Sequence, residues 1–329
     1  MKYFGKSDKI MVTPQNKRVG GQRNVIKMMW LSAIFSLCFA FFLSSYSFAQ
    51  SSNSLHSSSA MLRETIERLV LLQSLKTTIR MDVYMDGEEY ATQGKYVEEG
   101  FAASTNELPH SRFRLDLNFP LSSSGSFSEG LNKMTVLCDG NYVWHYTSIE
   151  ETNQFHMIRI EQVLAAIKKS KKKPYYSSVG GIAGLGGLGG MLQSINENYV
   201  LTTEPEDFLL RGKASLKVWK LVGSMNSELR KELESQLGRK EEETSFSSHL
   251  PTDIELYLGQ DDLFPYRIHY YNVPDPKRPQ RRTLVTQLVF CDVIFNDGTI
   301  PDYLFTTFEK NGGSAPVDVT GNFIKSLGL

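Results

Sequence analysis

The chain has 329 residues, 41% of them apolar and 22% charged, a balance that supports a buried core and excludes a disordered or low-complexity chain. Its 36 basic and 36 acidic residues cancel, but unevenly: seven Lys/Arg and one acid precede Gln50, so the rest carries 29 basic and 35 acidic residues. That acidic surplus excludes general nucleic-acid binding, which needs a basic footprint.

Residues 1–27 are basic, 30–43 are apolar and uncharged, and Ser47 and Ala49 are small. This order predicts a signal peptide over 1–49, cleaved after Ala49, and a periplasmic mature protein. The alternative is an N-terminal membrane anchor, because 28–55 carries no charge and is long enough to span a bilayer. Cys38 follows Leu37 inside the apolar run, which does not fit a lipid-attachment cysteine. A Ser-rich linker follows at 50–60, and 61–329 reads as a single domain.

Met61, Leu62, Ile66, Leu69, Val70 and Leu72 recur at helical spacing and predict an amphipathic helix. After Ser74 the period falls to two. Strands are expected at 78–84, 89–98, 112–119, 134–138, 142–147 and 155–160, with Asp86-Gly87 and Asp139-Gly140 as tight turns. Short connections between successive strands predict an antiparallel meander. A helix is expected at 161–169, followed by a Lys/Gly-rich insertion at 168–192. Its lysine run would touch anionic head groups or simply be solvated. In its glycine-rich part, Ile182, Leu185 and Leu188 stand among glycines, as in a mobile apolar lid or a plain flexible loop. Strands resume at 199–203, 207–210 and 215–222, a charged helix follows at 227–237, and the last strands are 253–258, 266–271, 282–295 and 303–308. The fold class expected is α+β: a strongly curved antiparallel sheet of about 11 strands, an incomplete barrel with helices as a lid over its concave face.

No zinc-protease, nucleophile-elbow, dithiol or phosphate-loop motif is present, and the histidines are scattered. No catalytic residue, metal or cofactor is therefore expected. An enzyme built on dispersed carboxylates such as Asp139 or Glu150 is the residual alternative. The apolar aromatics are the candidate ligand surface: Tyr84, Tyr96, Phe113, Trp219 and the stripe Tyr142, Trp144, Tyr146, which alternation puts on one face of its strand. Cys138 and Cys291 both fall in expected strands. They form a disulfide only if those strands are neighbours; otherwise they are separate buried thiols.

The segment Met134-Thr-Val-Leu-Cys-Asp-Gly-Asn-Tyr-Val-Trp-His-Tyr146 resembles the strand, Asp-Gly, aromatic-strand unit of periplasmic outer-membrane lipoprotein carriers of the LolA and LolB type. The resemblance extends to the helix and strand pair up to Gln93–Val97, to Pro109 ahead of Arg112–Leu115, to Asn198–Thr203, and to Tyr303–Phe308 with Val317–Thr320 as closing strand and tail. It implies a half-barrel whose cavity holds acyl chains of lipoproteins or other lipids. An inner-membrane release complex, an outer-membrane receptor and transient membrane contact are the implied partners. The alternative within that fold is a lipid-sensing envelope regulator that binds a protein partner. This chain departs from the carriers in having Leu108, not arginine, before Pro109, and in lacking their closing Pro-Pro.

Overall fold

The computed structural model describes residues 57–85, 88–100, 111–119, 132–149, 152–170, 180–211, 215–236, 251–273, 282–306 and 315–326. The expected signal segment, Leu108-Pro109, Glu150 and the lysines at 171–173 lie outside the described residues.

Helix α1 (Ser58–Val70) comes first, its N-terminus capped by the Ser57 side chain, which accepts the Ala60 N–H. The chain then enters a meander: β1 (Ser74–Met85), β2 (Glu88–Glu99), β3 (Arg112–Asn118), β4 (Asn132–Cys138), β5 (Tyr142–Ile149) and β6 (Thr152–Arg159). Helices α2 (Ile160–Lys169) and α3 (Gly180–Asn198) follow. The second half contains β7 (Tyr199–Leu201), β8 (Glu206–Leu210), β9 (Leu216–Met225), α4 (Ser227–Gln236), β10 (Asp253–Gly259), β11 (Pro265–Asn272) and β12 (Thr283–Phe295). A short α5 (Tyr303–Thr306), β13 (Val317–Asp318) and α6 (Thr320–Ser326) close the described chain.

All the strands join one 13-stranded sheet in the order β13-β6-β5-β4-β3-β2-β1-β12-β11-β10-β9-β7, with β8 beside β7 on the edge of β9. Its pairs are antiparallel except β13 with β6. The sheet is curved and unclosed, an α+β incomplete barrel. Strands carry an intrinsic twist, and a sheet of this size curls rather than staying flat.

Cross-strand partners share a face, so the register separates the two surfaces. Leu75, Ile79, Met81 and Val83 of β1 line up with Phe290 and Leu288 on β12 and with Tyr96 and Glu98 on β2. The same face continues through Phe113 and Leu115 to Val136 and Cys138. On the other side it runs through Ile268 and Leu256 to Leu221. Most of these residues are buried and belong to one contiguous core. Helices α1 and α3 contribute Leu62, Leu69, Leu188, Leu192 and Ile195 to that core. The helices therefore cover this face.

Gly94 marks the tightest approach in the meander. A side chain there would collide with the Asp116 carbonyl on β3. Gly94→Ala is expected to lower stability by more than about 3 kcal/mol, whereas Lys95→Ala on the exposed face shifts it by less than about 0.5 kcal/mol. Urea denaturation of both variants checks this.

Three expectations are corrected. Residues 303–306 form a helical turn, not a strand. After β12 the chain is turned by Asn296, whose side chain accepts the N–H groups of Gln73 (2.8 Å) and Ser74 (3.4 Å). Phe305 is then buried beneath the Arg112 guanidinium, 4.8 Å from its ring, and Arg112 also pairs with Glu99 and Asp302. This anchor on β3 replaces the hairpin that Asp297-Gly298 suggested. The glycine-rich stretch is helical from Gly180 onward rather than a loop, with Leu188 and Leu192 docked in the core. Finally, Cys138 on β4 is buried as expected, but Cys291 on β12 is exposed rather than buried, and no disulfide joins the two. Strands β3, β2 and β1 stand between them, so no bridge forms.

Candidate ligand-binding site

A small void lies on the helix-covered face, under α3. A cavity of about 30 Å³ lies between Ile79, Met81, Phe113 and Phe290 on the sheet and Gly187, Leu188 and Met191 on the helix. Its wall is almost wholly apolar. That volume is room for about two water molecules. Helix α3 thus covers the apolar surface of the sheet here almost completely.

The seating of α3 has a specific chemistry. The helix is broken at Gly187, whose φ of 56° and ψ of −149° are not helical. Leu188 therefore opens a second helical segment, with N–H groups that lack partners within the helix. Its N–H donates to the Tyr96 hydroxyl oxygen (3.0 Å) and to Glu98 Oε2 (3.1 Å). The Tyr96 hydroxyl in turn donates to Glu98 Oε2 at 2.6 Å. A carboxyl from the sheet thus caps a helix from the lid. Leu188, Leu192 and Ile195 follow at helical spacing and are buried. At the far end Asn198 donates to the Ser194 hydroxyl, and its carbonyl accepts the Asn226 N–H.

Glu98 is wholly buried. Burial pushes its pKa up to about 7, against the hydrogen bonds from Tyr96 and Leu188, which favour the charged form. The Ser111 hydroxyl stands beside the carboxyl and favours the charge too, yet Ser111 Oγ and Glu98 Oε1 make no hydrogen bond of acceptable geometry. Burial also raises Tyr96 well above the ordinary tyrosine range and moves the nearby Cys138 thiol up to about 12.

Of the candidate residues, the structure brings Tyr96, Phe113 and Leu188 together at the cavity. Tyr96 and Phe113 stack with centroids 6.1 Å apart. Trp219 lies farther along the same face, opposite Leu258 and half-buried. Tyr84 shares the opposite face with Arg80 and Asp82. Tyr142, Trp144 and Tyr146 are also on that opposite face, since the alternate residue Val143 is the one paired with Cys138 and Ile158. There Trp144 stacks on Phe155 and donates its indole N–H to Asp139, and the Arg159 guanidinium lies over Tyr142. The side chains of Ile182 and Leu185 lie outside the described residues.

Sequence reasoning missed Glu98 and Gly187. The available signal for Glu98 was parity: it follows Tyr96 by two in a strand, which puts an acid on the apolar side.

A second polar cluster sits on the opposite face. Glu255 accepts Tyr257 (2.8 Å), Tyr271 (3.0 Å) and Arg282 (2.8 Å), and pairs with Lys220 at 3.0 Å. Burial alone would raise its pKa; the donors, His269 foremost, overcome this and hold it well below the usual carboxylate range. One carboxylate so paired across three neighbouring strands locks β9, β10 and β11 together. Elsewhere His145 and His156 face each other with parallel rings 6.3 Å apart, and burial, then the second imidazole, lowers His145 to about 4. Among the described residues no group of three His, Cys, Asp or Glu is placed to hold a metal ion.

No family model and no curated protein matches the chain. Solved structures similar to it include a DUF1329 family protein from Desulfovibrio piger, at 12% identity over 74% of this chain and 95% of that one, with a TM-score of 0.33. The Pseudomonas aeruginosa MucA/MucB complex is similar at 11% identity over 75% of this chain and 59% of that one, TM-score 0.35. A putative outer membrane lipoprotein-sorting protein domain from Vibrio parahaemolyticus gives 10% identity over 75% of this chain and 96% of that one, TM-score 0.31. That last domain is of the lipoprotein-sorting kind that the sequence motifs resemble, but at such distance the likeness carries no argument about ligand or partner.

Proposed function

We propose that this protein binds acyl chains of lipoproteins or other lipids on the helix-covered face of its sheet, as a periplasmic carrier or chaperone that passes them across the envelope. One observation carries the reading. The apolar surface of an unclosed sheet is covered by a helix that breaks at a glycine, and an apolar void lies beneath that helix. A segment that leaves such a surface can be replaced by a hydrocarbon chain, because both bury the same area from water. Each CH₂ taken up contributes about 0.8 kcal/mol, offset by the lid contacts given up. Net exchange then stays small enough for release. No covalent step is needed.

Native mass spectrometry of protein purified from its own envelope, with extraction of the bound lipid, tests the reading. Met191→Glu, on the lid side of the cavity, is expected to lower bound lipid at least about tenfold, since a charge in an apolar contact is strongly disfavoured. Trp144→Glu, on the opposite face, is expected to leave it unchanged. A clean unliganded mass, with no uptake of offered lipid, sinks the reading.

A second reading has its own observation. Phe208 and Leu209 on the edge strand β8 are 42% and 46% exposed, and exposed apolar edges recruit protein partners. On that reading the chain is a lipid-sensing regulator. Lipid then alters capture of a protein partner, and this capture is lost in Phe208→Lys.

A further inference from the structure

Beside the cavity under α3, behind its lining residues Tyr96 and Gly187, one polar group is left half used. Glu98 Oε2 takes both of the hydrogen bonds offered, from Tyr96 and from Leu188. Glu98 Oε1 is buried and has none. Ser111 Oγ, beside it, is likewise buried without a partner. Oε1 faces Gly187, at the break in the lid, where any side chain would collide with it. An acceptor kept unpaired inside a protein is unfavourable, and native folds seldom tolerate it. Lifting α3 to admit a chain makes the shortage worse, because the Leu188 N–H leaves with the helix.

We propose that Glu98 selects the ligand: the site takes acyl lipids that carry a hydrogen-bond donor, an amide N–H or a hydroxyl, beside the chain. The proposal rests on the acyl-chain reading above and adds a rule of choice to it. Apolar contacts hold any hydrocarbon alike, so they cannot discriminate between linkages. A few placed polar groups do that in an otherwise apolar pocket. A donor on the ligand replaces the Leu188 N–H and reaches the free Oε1. A secondary amide meets the cluster through its N–H, directed at Glu98 Oε1. At pH 8, where the carboxyl is ionised and accepts only, a plain ester offers acceptors alone and leaves a buried carboxylate facing carbonyl oxygens. Sites built to pair with a polar group reject analogues that lack it, for this same reason.

Four palmitoyl probes of matched length test the rule by displacement of an environment-sensitive fluorescent fatty acid. N-methylpalmitamide and methyl 3-hydroxypalmitate carry a donor; methyl palmitate and N,N-dimethylpalmitamide do not. The donor-bearing probes are expected to bind about tenfold more tightly, the worth of one hydrogen bond to a buried polar group. Preference for the amide alone, or for the hydroxyl alone, supports the rule and names the linkage. Glu98→Gln, whose oxygen faces Tyr96 and Leu188 and whose NH2 then replaces Oε1, loses the preference; Glu98→Leu loses it too, and both still bind methyl palmitate. Equal binding of all four probes to the unsubstituted protein overturns the rule, whether or not either variant folds. So does a preference that survives Glu98→Leu. Failure of all four to displace the fluorophore overturns the acyl-chain reading instead.

Discussion

Gly187→Ala is expected to lower stability by about 3 kcal/mol and to loosen α3 from the sheet, while the paired strands β9 to β12 keep their protection. Two effects add at this residue. The backbone, at φ 56° and ψ −149°, occupies a region that only glycine enters readily, and a side chain there costs about 1–3 kcal/mol. The new methyl group also meets the Glu98 carboxyl. That carboxyl cannot step aside cheaply, because Tyr96 and Leu188 hold its other oxygen. The nearby glycines make the control. Gly189 and Gly190 are helical and have open space where a side chain would go. Replacing either by alanine is expected to stabilise the protein by about 0.5–1 kcal/mol, the usual gain for alanine over glycine in a helix. Urea denaturation gives the sign, and amide exchange over 188–198 locates the loosening. If all three variants behave alike, glycine composition rather than the break at Gly187 shapes this helix.

The contrast shows what the residues disclosed and what they hid. Alternation made the meander from β1 to β6 legible, because one buried face forces a period of two. Asp139-Gly140 was legible too: Gly140 has φ 94°, and the Asp139 carboxylate accepts the Asn141 and Tyr142 N–H groups. Residues 180–192 were not legible, since glycine opposes a helix locally and only the tertiary contacts of Leu188 and Leu192 make one. The closing segment failed for a similar reason. Tyr303 to Phe308 alternates like a strand, yet Phe305 is drawn under Arg112, 193 positions away in sequence and signalled by no local cue. The site was half legible. Tyr96 and Phe113 have the parity that puts them on the helix-covered face, beside the cavity. The aromatic stripe of β5 had the chemistry but the wrong parity, and parity relative to the lid is set by register across the whole sheet. Glu98 was passed over because a strand acid reads as solvent-facing until its partners are placed.

Glu98→Gln is expected to leave stability almost unchanged near pH 4.5 and to raise it by about 2–3 kcal/mol at pH 8. The sign follows from proton counts. In the folded protein the carboxyl holds its proton up to about pH 7, and its ordinary value is 4.5. Between those limits the folded state binds the extra proton, so stability falls as pH rises. The contribution is complete below 4.5 and gone above about 7. Glutamine keeps an acceptor for Tyr96 and Leu188 and has nothing to ionise, so the variant lacks this decline. The titratable groups facing Glu98 do not blur the window. Tyr96 is held well above the tyrosine range, and the Cys138 thiol sits at about 12. Urea denaturation of both proteins at pH 5 and pH 8 reads the difference; a variant that is less stable than the parent at pH 8 would mean that the ionised carboxyl, as a cap on the second segment of α3, outweighs its own burial. The same linkage acts on any step that brings Glu98 to water, including the lifting of α3 without unfolding. Amides at 188–192 are therefore expected to open more readily at pH 8 than at pH 5 in the parent, after correction for intrinsic exchange, and equally at both in Glu98→Gln. On the acyl-chain reading proposed above, lifting α3 is thereby linked to the loss of one buried proton.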